Sequence, residues 1–133
     1  MSARSENIDL IKKNYGKKII LIDRFVDSTL AYQHYGMGIN IKFINTINDF
    51  LLKGVKVDFT FLNLVNPKNM KKRLLKRKKL NRYDQFSPIF YKKVQNGFIK
   101  ILKKNSKKYM KIDSNIDIEA NQNKIINKII ELI

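Results

Sequence analysis

Three short apolar runs separated by helix-periodic stretches constrain this chain most. "IILI" at 19–22 is continuous, as in a strand buried on both faces. "VDFTFLNLV" at 57–65 reads as a second strand, and "YMKID" at 109–113 as a third, shorter one. Between and around them the apolar residues fall at helical spacing. Ile8, Ile11 and Tyr15 predict a helix over about 3–15, with Gly16 as its stop. Phe43, Ile44, Ile47, Phe50 and Leu51 stripe a second helix that ends before Gly54. Asn66-Pro67 pairs an N-cap with proline at the first helical position and opens a helix to about Leu75. Ser87-Pro88 repeats that pair, and Phe90, Val94, Gly97, Phe98 and Ile101 form the buried face of a long helix. Ile125, Ile126, Ile129, Ile130 and Ile133 stripe a last one. Strands alternating with helices predict an α/β fold with a mostly parallel sheet.

One domain, 1–133, accommodates these elements, and 44% hydrophobic residues exclude a disordered tail. The formal charge of +17 would suit nucleic acid or another polyanion. Lysine is spread along most of the chain, however, which is crowded with Lys, Ile and Asn as an AT-rich gene would make it. The charge is therefore read as a solvated surface. Cysteine is absent, which removes disulfides and thiolate metal sites and fits a reducing cytoplasm. No apolar run approaches the roughly 20 residues of a membrane span. "MSARSENIDLIKK" lacks the apolar core of a signal peptide. His34, the single histidine, is read as a loop residue.

In parallel sheets ligands bind beyond the carboxyl ends of the strands. Asp23 and Arg24 directly follow the first apolar run. A carboxylate there can hold Mg²⁺ directly or through water, and an arginine can grip phosphate with two parallel hydrogen bonds. The same pair could instead cap the next helix, and an apolar run ending in Asp is weakly specific. "KRKKLNRYDQF" at 76–86 is basic and has no apolar stripe, so it reads as a flap or as a solvated loop.

The longer stretch "DRFVDSTLAYQHYGMG" at 23–38 resembles the signature of the thymidylate kinase family. The likeness continues in register through "VDFTFLNL" (57–64), "RLLKRKKLNRYDQF" (73–86), "FYKKVQNGF" (90–98) and "KID" (111–113), and includes "SARSENIDLIKK" (2–13). It implies a P-loop-kinase-like three-layer sandwich, incomplete at the N-terminus, and a cytoplasmic homodimer that moves the γ-phosphoryl of ATP to dTMP with Mg²⁺. Phosphoryl transfer is mainly positioning and charge neutralisation. By the same resemblance Arg24 grips the dTMP phosphate, Asp23 supports the Mg²⁺, and Ser28, Tyr32 and Gln33 line the thymidine pocket. Arg4 matches an arginine that reaches the monophosphate or base. Arg73, Arg77 and Arg82 match lid positions that bring positive charge over the transferring group, with 76–86 as the lid.

Departures from the family pattern fall at Asn81, Asp84, Asn63 and Met37. The sequence also contains no G-x-x-x-x-G-K-[ST], the loop that cradles ATP phosphates. In the family that loop sits on a central strand ahead of the region matched here. The resemblance therefore implies the C-terminal part of a thymidylate kinase, inactive alone, whose run at 18–23 lacks a neighbour. Three other readings stay open: a basic nucleic-acid-binding module, a deoxynucleoside kinase, and an inactive remnant. The continuation "DSTLAYQ" favours the thymidylate family over the second.

Overall fold

A computed structural model describes residues 2–77 and 87–133, with side chains from residue 7 onward. Arg82 and most of the expected lid lie outside the described residues, as does the side chain of Arg4. The elements run α1 (Ser2–Asn14), α2 (Val26–Thr29) leading straight into a π-helical turn (Leu30–Gly36), α3 (Ile41–Leu52) and β1 (Thr60–Leu64). They continue with α4 (Pro67–Leu75), α5 (Pro88–Lys104), β2 (Tyr109–Asp113) and α6 (Ile118–Leu132).

Local chemistry sets most of the boundaries. The Asn66 side chain accepts from the Asn69 amide at 2.8 Å with Pro67 at the first helical position, which starts α4. Ser87 does the same for Phe90 at the head of α5, where Pro88 follows. Asn40 caps α3 through the Lys42 amide, and Asp117 caps α6 through Glu119 and Ala120. At the end of α3, Lys53 takes the left-handed conformation (φ 36°) and Gly54 follows at φ 91°. Glycine reaches that φ without a Cβ penalty, which stops the helix where the sequence predicted.

β1 and β2 pair in parallel, Thr60 opposite Tyr109 through Leu64 opposite Asp113. Leu62 and Ile112 supply their buried side chains. The main core lies where α5 crosses the π-helical turn: Ala31, Val94 and Ile101 are buried, with Tyr32, Tyr35, Phe90, Phe98 and Tyr109 packed around them. Two glycines permit the approach. A Cβ on Gly97 would lie 2.7 Å from three atoms of Tyr35, and one on Gly36 would lie 2.7 Å from the Phe90 ring. No helix among the described residues is long and apolar enough to cross a membrane.

The structure corrects the sequence reading in four places. The run 19–22 is extended but forms no strand, and it is not buried on both faces: Leu21 is 76% exposed. A strand exists only through a paired neighbour, and none of the described residues pairs with this run. The sheet therefore has two strands among the described residues rather than three. His34 lies in the π-helical turn, not a loop, with Nδ1 2.8 Å from the Ile39 carbonyl oxygen. In α6 the expected apolar stripe is only partly covered, since Ile126, Ile130 and Ile133 are exposed. In α3, Ile44 is buried while Phe43 and Phe50 stay exposed, because α1 and the π-helical turn cover only part of that face.

The unpaired run and β1 flank a cleft. Toward one end, residues 15–22 face 55–61 across a cavity of about 760 Å³. Toward the other, residues 20–28 face 57–63 across a cavity of about 740 Å³. Low numbers face low and high face high, so the two segments run in the same direction. Tyr15 ties their beginnings together, its hydroxyl accepting from the Lys56 amide at 3.1 Å. At the other end the Tyr109 hydroxyl donates to Asp27 Oδ2 at 2.7 Å and joins α2 to the sheet.

Two tests of this packing are available. Gly97→Ala gains about 1 kcal/mol of helix propensity. Against that, overpacking a tight contact costs about 1–3 kcal/mol, and Tyr35 Cβ is too close to its backbone to swing away. With three atoms of Tyr35 at 2.7 Å the cost falls in the upper part of that range, so the variant should be less stable by a net of about 1–2 kcal/mol, read as a lower urea midpoint; an unchanged midpoint contradicts the packing. The second test concerns pH. Burial raises the Tyr109 phenol, and the Asp27 carboxylate raises it further. The folded chain then holds that proton more tightly than the unfolded chain does, so the stabilisation is complete below the ordinary tyrosine pKa of about 10 and is lost as pH rises above it. The stability advantage of the parent over Tyr109→Phe should shrink in that alkaline range. Parallel unfolding profiles on both sides of it would contradict the burial of the phenol.

Candidate functional site

The cleft at the carboxyl end of the run 19–22 gathers the residues singled out by the sequence. Asp23 and Arg24 line it from that run, Ser28 and Tyr32 from the helices that follow, and Asn63 and Tyr109 from the sheet. The chain turns sharply into α2 here. Arg24 takes φ 61°, the left-handed region, without being glycine. Such a conformation costs on the order of 1–3 kcal/mol and persists only where the surroundings hold it. One holding contact is visible: the Arg24 guanidinium carbon sits 4.8 Å from the centroid of the Tyr32 ring. A guanidinium over an aromatic face is a cation–π contact, which suits the planar, delocalised charge of arginine. The Tyr32 ring is braced in turn by Phe90 and Phe98 of α5, at centroid distances of 6.0 and 6.4 Å. These contacts place one arginine and one aromatic ring at the lip of the cleft, beside the exposed carboxylate of Asp23.

Tyr32 and Gln33 lie on the π-helical turn. Such turns insert one extra residue into a helix, redirect its side chains and recur at functional sites. Tyr32 lines the cleft, and Gln33, the next residue along the turn, is not among its lining residues. Gln33 contributes through its backbone, its carbonyl accepting from the Ile39 amide at 2.9 Å.

The basic residues lie further off. Arg73, near the end of α4, donates through Nη2 to the Ser114 carbonyl at 2.5 Å. It thereby joins α4 to the loop after β2, where Asn115 accepts from the Asn66 amide and from the Asn69 side chain at 3.0 and 3.1 Å. Asp113, at the end of β2, is held below the usual carboxylate range by hydrogen bonds from the Asn115 amide and side chain. Arg77 follows α4 and does not line the cleft. Among the described residues, no three acidic or histidine side chains converge to hold a metal ion. A divalent cation here would have Asp23 as its protein ligand and take its other oxygens from phosphate and water. That arrangement fits Mg²⁺, which keeps several waters and uses one or two carboxylates.

Sequence reasoning missed Asp27 and Tyr109. Burial raises the Asp27 carboxyl, and the hydrogen bond from Tyr109 offsets part of that rise. Both line the same cleft as Arg24 and Ser28. Asp27 stands inside the quoted "DSTL" segment, but nothing local in the sequence marks a partner 82 residues away.

The family model for thymidylate kinase matches residues 1–125. The thymidylate kinase of Exiguobacterium sp. is 30% identical over 132 residues, covering 98% of this chain and 62% of that protein. That of Staphylococcus epidermidis is 35% identical over 103 residues, covering 77% and 51%. The crystal structure of thymidylate kinase from Ehrlichia chaffeensis is similar at a TM-score of 0.69 and 32% identity, covering 96% of this chain and 59% of that one. The chain thus spans 51% and 62% of the length of these two curated relatives. The fold class expected from the sequence holds: α/β, of the P-loop-kinase kind. With the family match running from residue 1 to residue 125 and the backbone agreeing over 96% of its length, the chain belongs to the thymidylate kinase family.

Proposed function

We propose that this chain supplies the nucleoside-monophosphate side of a thymidylate kinase, binding dTMP in the cleft beyond residue 23 for phosphorylation by ATP. The observation that carries this is the pairing of Arg24 with Tyr32 at the lip of a cleft whose rim also holds Asp23 and Ser28. Arg24 offers its donors to the monophosphate in two parallel bonds. Asp23 would hold Mg²⁺, which would neutralise charge during transfer. Ser28 and Tyr32 bound the nucleoside, the hydroxyl bonding to it and the ring closing one side. Gln33, Arg4, Arg73, Arg77 and Arg82 keep the roles implied by likeness to the family. So do ATP with Mg²⁺ as donor and a homodimeric state.

A site built to hydrogen-bond one base rejects ligands that leave its polar groups unpaired. Titration calorimetry should therefore show dTMP binding in preference to AMP. Arg24→Ala should weaken dTMP binding by roughly 10- to 100-fold, the range for one hydrogen bond to a charged group. Equal affinity for AMP, or an Arg24→Ala variant that binds dTMP as the parent does, would sink the assignment.

The reading also covers what the chain does alone. Its arginines cannot reproduce a nest of backbone N–H groups and a lysine around the β- and γ-phosphates. Residues 1–133 assayed with dTMP, ATP and Mg²⁺ should form no ADP. ADP should appear when a polypeptide bearing G-x-x-x-x-G-K-[ST] is added. Turnover by the lone chain at about 1–100 s⁻¹, the usual kinase range, would overturn this.

A further inference from the structure

The segment that carries Arg24 and Ser28 has little of its own to hold it. α2 is four residues long, has no buried residue, and its N-cap residue Phe25 makes no side-chain cap bond. α2 runs on into the π-helical turn, but its own four residues bury no side chain that would fix its start. Arg24, immediately before it, is in a left-handed conformation that must be imposed from outside. Something from another part of the fold has to fix this turn.

The long-range polar bond that reaches it comes from β2. The Tyr109 hydroxyl donates to Asp27 Oδ2 at 2.7 Å, across 82 residues of sequence. Tyr109 is well placed to act as an anchor. It is the first residue of β2, its backbone pairs with Thr60 of β1, and its ring packs against the Ala31–Val94–Ile101 core. Asp27 sits between Arg24 and the π-helical turn and lines the same cleft as both.

We propose that Asp27 and Tyr109 are a positioning pair: their hydrogen bond pins α2 to the sheet and so holds Arg24 and Ser28 in binding geometry. Neither residue needs to touch the nucleotide. The inference rests on the dTMP reading above for its consequence in binding, and on the geometry alone for its consequence in backbone order. The burial that raises both groups agrees with it, because a half-buried carboxylate and phenol gain more from each other than from water.

The test is a double-mutant cycle on the full 133-residue chain with Tyr109→Phe, Asp27→Ala and the double variant. Tyr109→Phe keeps the ring in the core and removes only the hydroxyl. Amide hydrogen exchange should rise roughly tenfold at residues 26–30 in each single variant, the worth of one such bond, while amides in the middle of α5 stay as in the parent. The double variant should exchange no faster than the singles, since both remove one interaction. Affinity for dTMP should fall in step, and Asp27→Asn, whose amide oxygen still accepts from the phenol, should recover most of it. Parental exchange at 26–30 in Tyr109→Phe would overturn the pair. So would additive effects in the double variant, or a rise that extends equally through α5. If the parent binds no dTMP, the nucleotide reading fails, and the exchange cycle still decides whether the tether exists.

Discussion

The close crossing of α5 over the π-helical turn is the constraint from which the rest of the site follows. The backbones approach because Gly97 offers no Cβ to Tyr35 and Gly36 offers none to Phe90. Ala31 is fully buried at that crossing, between Val94 and Ile101. Phe90 and Phe98 of α5 then brace the Tyr32 ring. Tyr32 in turn carries the Arg24 guanidinium on its face. Arg24 is thus positioned by a chain of packed side chains that begins with two glycines. Its own backbone strain is tolerated because that chain and the Asp27–Tyr109 bond hold the turn from two sides.

The second organising feature is the cleft between the run 19–22 and β1. Tyr15 and Lys56 join the two segments near their beginnings, and Asp27, beyond the run, bonds Tyr109 at the start of β2. The apolar side chains of the run have no sheet to lie on, which is why Leu21 is exposed despite a sequence that reads as a buried strand. The same apolar surplus recurs at the end of α6, whose Ile129, Leu132 and Ile133 line the cavity beside this run. Propensity supplies extended backbone here, but a strand needs a hydrogen-bonded neighbour, and that neighbour is a tertiary matter.

Charge is the third feature, and it divides into a diffuse and a local part. Most of the +17 belongs to lysines on exposed helix faces and loops, where water and salt screen it. The arginines are used more sparingly. Arg24 is stacked at the cleft, and Arg73 is tied to the Ser114 carbonyl, where it joins α4 to the loop after β2. A guanidinium suits both positions because it is planar, always charged and presents several donors at once.

Much of this was legible in the sequence because it is local. Asn66-Pro67 and Ser87-Pro88 placed the heads of α4 and α5, since a cap and a proline act within one turn. The stripe Val94, Gly97, Ile101 identified the buried face of α5, and "YMKID" gave β2 from its first residue to its last. The segment "DRFVDSTLAYQ" marked the family. What only the tertiary structure decided is non-local. It wound His34 into a π turn and joined Asp27 to Tyr109. Each outcome depends on atoms far apart in sequence, and no window of neighbouring residues encodes a hydrogen bond across 82 positions.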